Sequence, residues 1–283
     1  MHRETRLGAS SLALGNGLAL KKCKSEILER WAHFEWEASG SPELAHFKLC
    51  DGQRTDPYVE PETVRRDGSG MCAGPEVSRA DILIHGLLEV IERDAVTRLL
   101  GFGGGRVIRI PVQLPTGLTA LADRWGGDFE NFLCDTPGLP PVCITVFSTR
   151  RGDAGAVGSA CRLNVNAAST HAATEALMMY TTARHWSRQA EVPPQYSGIL
   201  WASRHMPEVR EELRSCCGFG GVPTAALTPK ALMDAVVSRF GTEPKYLRYP
   251  VRAARFPGMG AWRVIVPGAL SPAVITRQPW PIG

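Results

Sequence analysis

An α+β fold in a single domain spanning residues 1–283 is the prediction that the sequence supports best. Helical and strand-like segments alternate irregularly along the chain, which favours a mixed β-sheet with packed helices over a doubly wound parallel sheet. Hydrophobic residues make up 44% of the chain and charged residues 21%, which is ordinary for a folded protein that can bury a substantial core. No internal repeat or low-complexity tract divides the sequence, so we expect one domain.

Local signals predict the elements in order along the chain. A first helix is expected over 19–38, where a Gly-Ser-Pro break ends it, and 39–78 is expected to form loops with at most short strands. A second helix is expected from Ser78, a favourable N-cap residue, to Leu100. The other predicted helices lie near 116–125, 167–188, 207–215 and 229–240, and the predicted strands lie near 107–112, 140–148 and 261–268.

Composition and termini exclude several classes of protein. The N-terminal residues lack the pattern of a signal peptide, and no run approaches the about 18 apolar residues that cross a bilayer, so we expect a cytoplasmic protein without a membrane partner. The eight cysteines include no CxxC pair, which suits reduced thiols better than a disulfide framework. The net charge of +4 is small and the basic residues are dispersed, so we expect no nucleic-acid partner.

The second helix carries the most informative charge pattern. At about 100° per residue, Asp81, His85, Glu89 and Glu92 fall within a narrow arc, with Arg93 at its edge. Most of the remaining circumference is apolar, so we expect this acidic stripe to line a cavity. Carboxylates crowded into such a cavity repel one another unless cations neutralise them, and Mg²⁺ prefers carboxylate, water and phosphate oxygens.

The first helix repeats this pattern. Its string Glu26-Ile-Leu-Glu29-Arg30 matches the ExxER spacing of Glu89, Glu92 and Arg93 on the second helix. A single ExxER string is typical of a solvated, salt-bridged helix face, and that alternative applies to each copy. Two copies, one of them in a mostly apolar helix, favour a shared metal–triphosphate site in which acids hold Mg²⁺ and arginines meet phosphate oxygens.

Other catalytic signatures are absent from the sequence. There is no Walker-type phosphate loop, and the glycine run at 101–105 follows a helix, so we interpret it as a helix breaker. The dispersed histidines include no HExxH string, which argues against a zinc hydrolase. A cysteine nucleophile paired with a histidine stays open, because no local feature singles out one cysteine.

Several segments together resemble the YcaO family, in the order that the family has them. The strings ILERW and VIERDA resemble the family's two ExxER helices, and RVIVPG resembles its late strand. The supporting segments are GNGLALKKCKSEILERW, GMCAGPEVSRADILIHGLLEVIERDA, LPPVCITVFS and GSACRLNVNAASTHAATEAL. The resemblance covers most of the chain from about residue 15 onwards, and it implies a YcaO-like domain that uses ATP and Mg²⁺.

The resemblance also implies roles for individual residues. The implied metal ligands are Glu26, Glu29, Asp81, Glu89 and Glu92. Arg30, Arg93 and Arg263 are implied to meet the nucleotide along with these acids. Arg93 and Glu175, which occupies the acid position of the third helix, are also implied to be catalytic. In the family's implied reaction, a nucleophile attacks a backbone carbonyl and ATP phosphorylates the resulting oxygen, which then leaves.

The proline-rich tail at 278–283 bears on which nucleophile is used. Ring-forming members resemble one another in a terminal PxPxP, and this chain ends with Pro279, Pro281 and Gly283 in register. The resemblance implies that the Gly283 carboxylate acts as a catalytic base. The alternative is that the tail is a frayed linker.

These observations predict an ATP-dependent cyclodehydratase that converts Cys, Ser or Thr of a ribosomally made precursor peptide into azolines. Thioamide formation with an external sulfide donor is one alternative. A non-catalytic scaffold or activator subunit is another, which Pro75 in place of an expected asparagine and a shorter segment before the first helix both favour. The resemblance further implies a leader-binding or activating partner protein and a homodimer.

Overall fold

The structure is a computed structural model of the 283-residue chain. It describes residues 16–40, 44–47, 54–59, 68–102, 105–152, 154–193, 196–218, 227–249 and 256–270. The chain divides into two compact units, one formed by 1–90 with 236–269 and the other by 91–235 with 270–283. The expectation of one domain over 1–283 stays a prediction.

The α+β class is confirmed, and the strands form two antiparallel sheets accompanied by seven α-helices among the described residues. The helices are α1 (Asn16–Ala38), α2 (Arg79–Phe102), α3 (Thr116–Arg124), α4 (Val165–Trp186), α5 (Ser197–Arg204), α6 (Met206–Ser215) and α7 (Pro229–Phe240). The strands are β1 (Leu44–Phe47), β2 (Arg54–Val59), β3 (Ser69–Pro75), β4 (Val107–Ile110), β5 (Gly127–Cys134), β6 (Val142–Thr149), β7 (Gly155–Cys161), β8 (Lys245–Arg248) and β9 (Met259–Ile265).

The first unit is built on a five-stranded sheet in the order β2-β1-β8-β9-β3, which leaves β3 at one edge. The helix α1 packs on β3 and β9. Its residues Leu28, Ala32 and Trp36 are spaced one helical turn apart and fully buried, so they form the apolar face that holds the helix on the sheet. Tyr249 and Ile265 complete this core from the strand side.

The second unit is built on a four-stranded sheet in the order β4-β5-β6-β7, with β7 at one edge. The long helix α4 packs on β6 and β7. Small residues such as Ala168 and Ala172 face Leu133 and Cys143 there, which lets the helix lie close to the sheet. Asn164 caps the helix, because its side chain accepts a hydrogen bond from the amide of Ala167.

The predicted helices are present, with ends that differ by a few residues. The second predicted helix begins at Arg79 instead of Ser78, because 76–78 forms a short 3₁₀ turn that leads into it. The strand predictions near 107–112, 140–148 and 261–268 correspond to β4, β6 and β9. None of the helices in the described ranges is long and apolar enough to cross a membrane.

Four strands and one helix have no counterpart among the predictions: β3, β5, β7, β8 and α5. The two edge strands share a reason. β3 has the sequence SGMCAGP and β7 has GAVGSAC, so both consist mostly of small residues and lack the β-branched alternation that identifies a strand. These residues are small because the fold packs other elements closely against both strands, and a local sequence pattern does not indicate such packing.

Candidate functional site

Backbone amides on the outer edge of β3 donate hydrogen bonds to carboxylates from two different helices. The amide of Met71 donates to Glu89 Oε2 on α2 over 3.0 Å, and the amide of Ala73 donates to Glu29 Oε1 on α1 over 3.1 Å. An edge strand presents N–H groups that its own sheet cannot satisfy, so the two acids fill a structural need. The structure therefore brings together two acids that the sequence predicted on separate helices.

Cys72 lies between Met71 and Ala73 on β3, and both acids are close enough to its thiol to affect the pKa of that group. Burial first, and then the charges of Glu29 and Glu89, raise the pKa of the Cys72 thiol well above its ordinary value. Two half-buried carboxylates near one thiol repel each other, and a cation relieves that repulsion. Mg²⁺ usually takes one or two carboxylates and completes its shell with water and phosphate oxygens, so this pair suits a Mg·nucleotide.

Backbone amides on the outer edge of β7 likewise donate hydrogen bonds to carboxylates from two helices. The amide of Ser159 donates to Glu175 Oε2 on α4 over 3.0 Å, and the amide of Cys161 donates to Glu92 Oε2 on α2 over 3.1 Å. The hydroxyl of Ser159 also donates to Glu92 Oε1 over 2.7 Å. Glu92 and Glu175 therefore form a second pair of acids on an edge strand, again from two helices.

A glycine precedes the first bonded amide of each edge strand and allows the close approach of a helix. A Cβ at Gly70 would clash with the carbonyl oxygen of Gly86 on α2, and a Cβ at Gly158 would clash with backbone atoms of Ala172 and Ala176 on α4. Only glycine lets these helices pack against the strand backbone, from which their glutamates reach the edge amides. The two units thus repeat one local design, of which the sequence revealed only the ExxER strings.

Arg263 is held in a polar network of the first unit. Its Nε and Nη2 donate to Ser69 Oγ over 3.1 Å and 2.8 Å, and its Nη1 donates to the Tyr249 hydroxyl over 3.1 Å. Ser69 lies diagonally across the β3–β9 pair from Arg263, since Met71 is the direct partner. The half-buried guanidinium is therefore fixed in orientation, as a phosphate contact requires.

The other predicted site residues lie in less specific settings. Glu26 forms an i,i+4 ion pair with Arg30, the solvated pairing that the sequence left open as an alternative. Asp81 is exposed in the first turn of α2, whereas Arg93 is half-buried one residue after Glu92. Gly283 and the rest of the tail at 278–283 lie outside the described residues.

The predicted five-acid metal site remains a prediction. Within the described ranges, no three His, Cys, Asp or Glu side chains group closely enough to hold a metal ion by themselves. What the structure brings together is two pairs of acids, each on its own edge strand. Pairs of this kind leave most of a Mg²⁺ coordination shell to phosphate and water.

The alternative of a cysteine nucleophile stays a prediction, because Cys217 is exposed, but most cysteines in the described residues are buried. The seven cysteines there are free thiols, and most of them are buried. Burial raises the pKa of Cys143 to about 11, and burial followed by the charge of Glu92 raises the pKa of Cys161. A neutral buried thiol is a poor nucleophile, so these cysteines fill a structural role.

Several contacts of the site escaped the sequence analysis. Ser159 and Tyr249 carried no recognisable signal, because each acts through a partner distant in sequence. Asp94, which directly follows the second ExxER string, accepts hydrogen bonds from the Arg98 side chain and from the backbone amide of Leu270. The position of Asp94 in the ERD string is the only feature of the sequence that indicated a role for it.

A family model matches most of the chain. The family model described as YcaO cyclodehydratase, ATP- and Mg²⁺-binding, matches residues 47–270. That description confirms the predicted cofactors, ATP and Mg²⁺, and the enzyme class. No curated protein matches the chain.

Solved structures share the fold at low sequence identity. The E. coli microcin synthetase McbBCD complex with pro-MccB17 bound aligns with a TM-score of 0.62 at 12% identity, over 90% of this chain and 80% of that chain. YcaO from Methanopyrus kandleri bound with AMPPCP and Mg²⁺ aligns with a TM-score of 0.56 at 18% identity, over 80% and 63%.

A heterocyclase in complex with substrate and cofactor aligns with a TM-score of 0.60 at 15% identity, over 80% of this chain and 33% of that chain. This chain therefore spans about a third of that heterocyclase. At these identities the likenesses show the fold alone, and the family rests on the match over 47–270. The chain belongs to the YcaO family.

Proposed function

We propose that the protein uses Mg·ATP to activate backbone amides of a ribosomally made precursor peptide and cyclises Cys, Ser or Thr side chains into azolines. The observation that carries the proposal is the double pairing of acids on edge strands, Glu29 with Glu89 and Glu92 with Glu175. These pairs occur in a chain of the YcaO family, whose description includes ATP and Mg²⁺.

Within this proposal each pair of acids holds one Mg²⁺. A carboxylate offers about four lone-pair positions, so a hydrogen bond accepted from β3 or β7 is compatible with binding a cation. The bonds to the strand would orient the acids toward the cation that they share. Glu26 and Asp81 complete the set of acids that the sequence assigned to metal.

The reaction needs charge stabilisation and proton transfer from the chain. Mg·ATP, when bound, supplies the phosphoryl group that makes the amide oxygen a leaving group. Arg30, Arg93 and Arg263 would stabilise phosphate charge through N–H donors, of which Arg263 is already held by Ser69 and Tyr249. The Gly283 carboxylate would accept the proton that the attacking side chain or the amide loses.

Partners and location follow from the same proposal. The substrate is a precursor peptide, and a leader-binding or activating protein would deliver it. We also propose a cytoplasmic homodimer; the free thiols among the described cysteines agree with a reducing compartment. Among solved relatives, the microcin synthetase is a multi-protein complex with a peptide bound.

The test combines calorimetry with product mass. The protein should bind Mg·ATP and consume ATP when a Cys-, Ser- and Thr-rich test peptide and its partner protein are present. Each azoline lowers the peptide mass by one water, whereas a thioamide product exchanges oxygen for sulfur. Absence of Mg·ATP binding, with and without partner, would leave a non-catalytic subunit as the remaining interpretation.

A further inference from the structure

The guanidinium of Arg263 is oriented from two sides by neutral hydroxyl groups. Ser69 accepts from Nε and Nη2, and Tyr249 accepts from Nη1 over 3.1 Å. Among the residues that the structure describes, these bonds use three of the five N–H donors and leave one on each terminal nitrogen. Two such N–H groups on one planar fork suit a pair of phosphate oxygens.

Tyr249 is itself held rigidly. It is 1% exposed, and its backbone amide donates to the carbonyl of Ala261 over 3.0 Å. Its ring makes edge contacts with Trp36 at 5.8 Å and with His33 at 5.9 Å between ring centroids. The tyrosine therefore has one position from which its hydroxyl meets Arg263.

His33 fixes the direction of the tyrosine hydroxyl. Its Nδ1 lies 3.1 Å from the Tyr249 oxygen, and its Nε2 lies 3.4 Å from Glu37 Oε1. A hydroxyl that accepts from a guanidinium donates its own hydrogen elsewhere, and an unprotonated Nδ1 is the acceptor that this geometry offers. Burial first raises the pKa of Tyr249 while Arg263 lowers it, and the net rise keeps the phenol neutral.

We propose that Tyr249 is a positioning residue, whose hydroxyl, directed by His33, sets the Arg263 guanidinium for contact with the nucleotide phosphates. The inference rests on the proposed ATP-dependent function and extends it to two residues with no assigned role. The Tyr249 hydroxyl affects nucleotide affinity only through Arg263. A residue that merely supports the core would affect affinity whether or not Arg263 is present.

A double-mutant cycle on Mg·ATP affinity tests the proposal. Arg263→Gln should weaken Mg·ATP binding by roughly 30-fold, and Tyr249→Phe by roughly fivefold, because the phenylalanine keeps the ring packing and loses only the hydroxyl. In the Arg263→Gln background, Tyr249→Phe should have no further effect. His33→Phe should show a smaller loss with the same dependence on Arg263.

Tyr246→Phe is the matched control. Tyr246 is a second buried tyrosine of the same unit, 3% exposed, and it is paired with Val264, the neighbour of Arg263 on β9. Because successive residues of a strand face opposite sides of a sheet, Tyr246 and Arg263 lie on opposite faces, and the Tyr246→Phe variant should bind Mg·ATP with wild-type affinity. Additive losses in the double variant would assign Tyr249 a general structural role and overturn the proposal. Unchanged affinity in Tyr249→Phe beside a weakened Arg263→Gln would overturn it too.

Failure of the proposed function is distinguishable in the same experiment, because wild-type protein would then show no Mg·ATP binding at all. If Tyr249→Phe does not fold, as judged by its thermal transition, the His33→Phe and Arg263→Gln pair supplies the cycle. Additivity in that pair would overturn the proposal in the same way.

Discussion

The hydroxyl of Ser159 donates to Glu92 Oε1 over 2.7 Å, while the amide of Cys161 donates to the other oxygen of the same carboxylate. Both oxygens of Glu92 are thereby directed along β7. This contact explains how an acid in a mostly apolar helix is accommodated, because its partial burial is offset by hydrogen bonds to its charged form.

Glu92→Gln should abolish ATP consumption and leave the fold intact. The glutamine can still accept from the Cys161 amide and donate to the Ser159 hydroxyl, so we expect a stability loss of only about 1 kcal/mol. Loss of the negative charge removes the attraction for Mg²⁺. The measurements are ATP turnover and the midpoint of thermal unfolding.

Ser159→Ala is the matched control for Glu92, since it removes a hydrogen bond and keeps the charge. We expect reduced but measurable turnover in this variant. Wild-type turnover in Glu92→Gln would show that this acid has no part in metal binding.

Gly158→Ala should destabilise the second unit by about 3 kcal/mol or more. Its Cβ would overlap the backbone of Ala172 and Ala176, which forces α4 away from β7 and breaks the bond between Glu175 and the Ser159 amide. Denaturant unfolding measures the loss. Gly218→Ala is the control, because its Cβ would meet only the Arg106 side chain at 3.6 Å; an equal loss there would contradict the argument.

Glu130→Gln should lower stability by about 2 kcal/mol at neutral pH, and the difference from wild type should shrink in acid. The buried Glu130 carboxylate accepts hydrogen bonds from Arg210 and Arg214. Burial by itself would raise its pKa, but the hydrogen bonds from Arg214 and Arg210 outweigh burial and lower it.

The direction of the pH dependence follows from the lowered pKa of Glu130. Stability from this group is fully present above the unfolded pKa of about 4.3 and is lost as pH falls through the lower folded value. Chemical unfolding of both proteins at neutral pH and below pH ~4 measures the trend. The exposed Glu212→Gln serves as control, and a difference that grows in acid would refute the assignment.

Asp94→Ala should release the chain at Leu270. Asp94 is 2% exposed and accepts the Leu270 amide over 2.8 Å, so its loss should speed hydrogen exchange at that amide by roughly tenfold. Arg98→Ala removes only the ion pair with Asp94 and should leave this exchange rate unchanged. Equal exchange in Asp94→Ala and wild type would mean that the contact does not hold the segment.

If the Gly283 carboxylate acts as the base, Asp94→Ala should also lower turnover while Mg·ATP affinity stays at the wild-type value. Leu270 precedes Gly283 in the chain, whereas the hydrogen bonds that hold Arg263 do not involve Asp94, so the variant should affect the base and leave that nucleotide contact in place. Parallel measurement of turnover and Mg·ATP affinity separates the two effects.

The sequence predicted the helices that carry the acids better than the strands that receive them. Start and stop signals and the helical spacing of charged residues identified α1 and α2. Sequence patterns missed β3 and β7, whose small residues are explained by the approach of a helix backbone to Gly70 and Gly158. That approach is a tertiary relationship, and neither strand shows it in its own residues.

By itself the sequence determined the α+β class, the two ExxER helices and the YcaO family, because periodicity and motifs are local properties. It also left open the alternative that Glu26 and Arg30 pair with each other, since residues four apart on a helix are neighbours. Only the tertiary structure decided which acids share a strand and what holds Arg263. Glu29 and Ala73 are 44 residues apart and His33 and Tyr249 are 216 apart, and only folding brings such residues into contact.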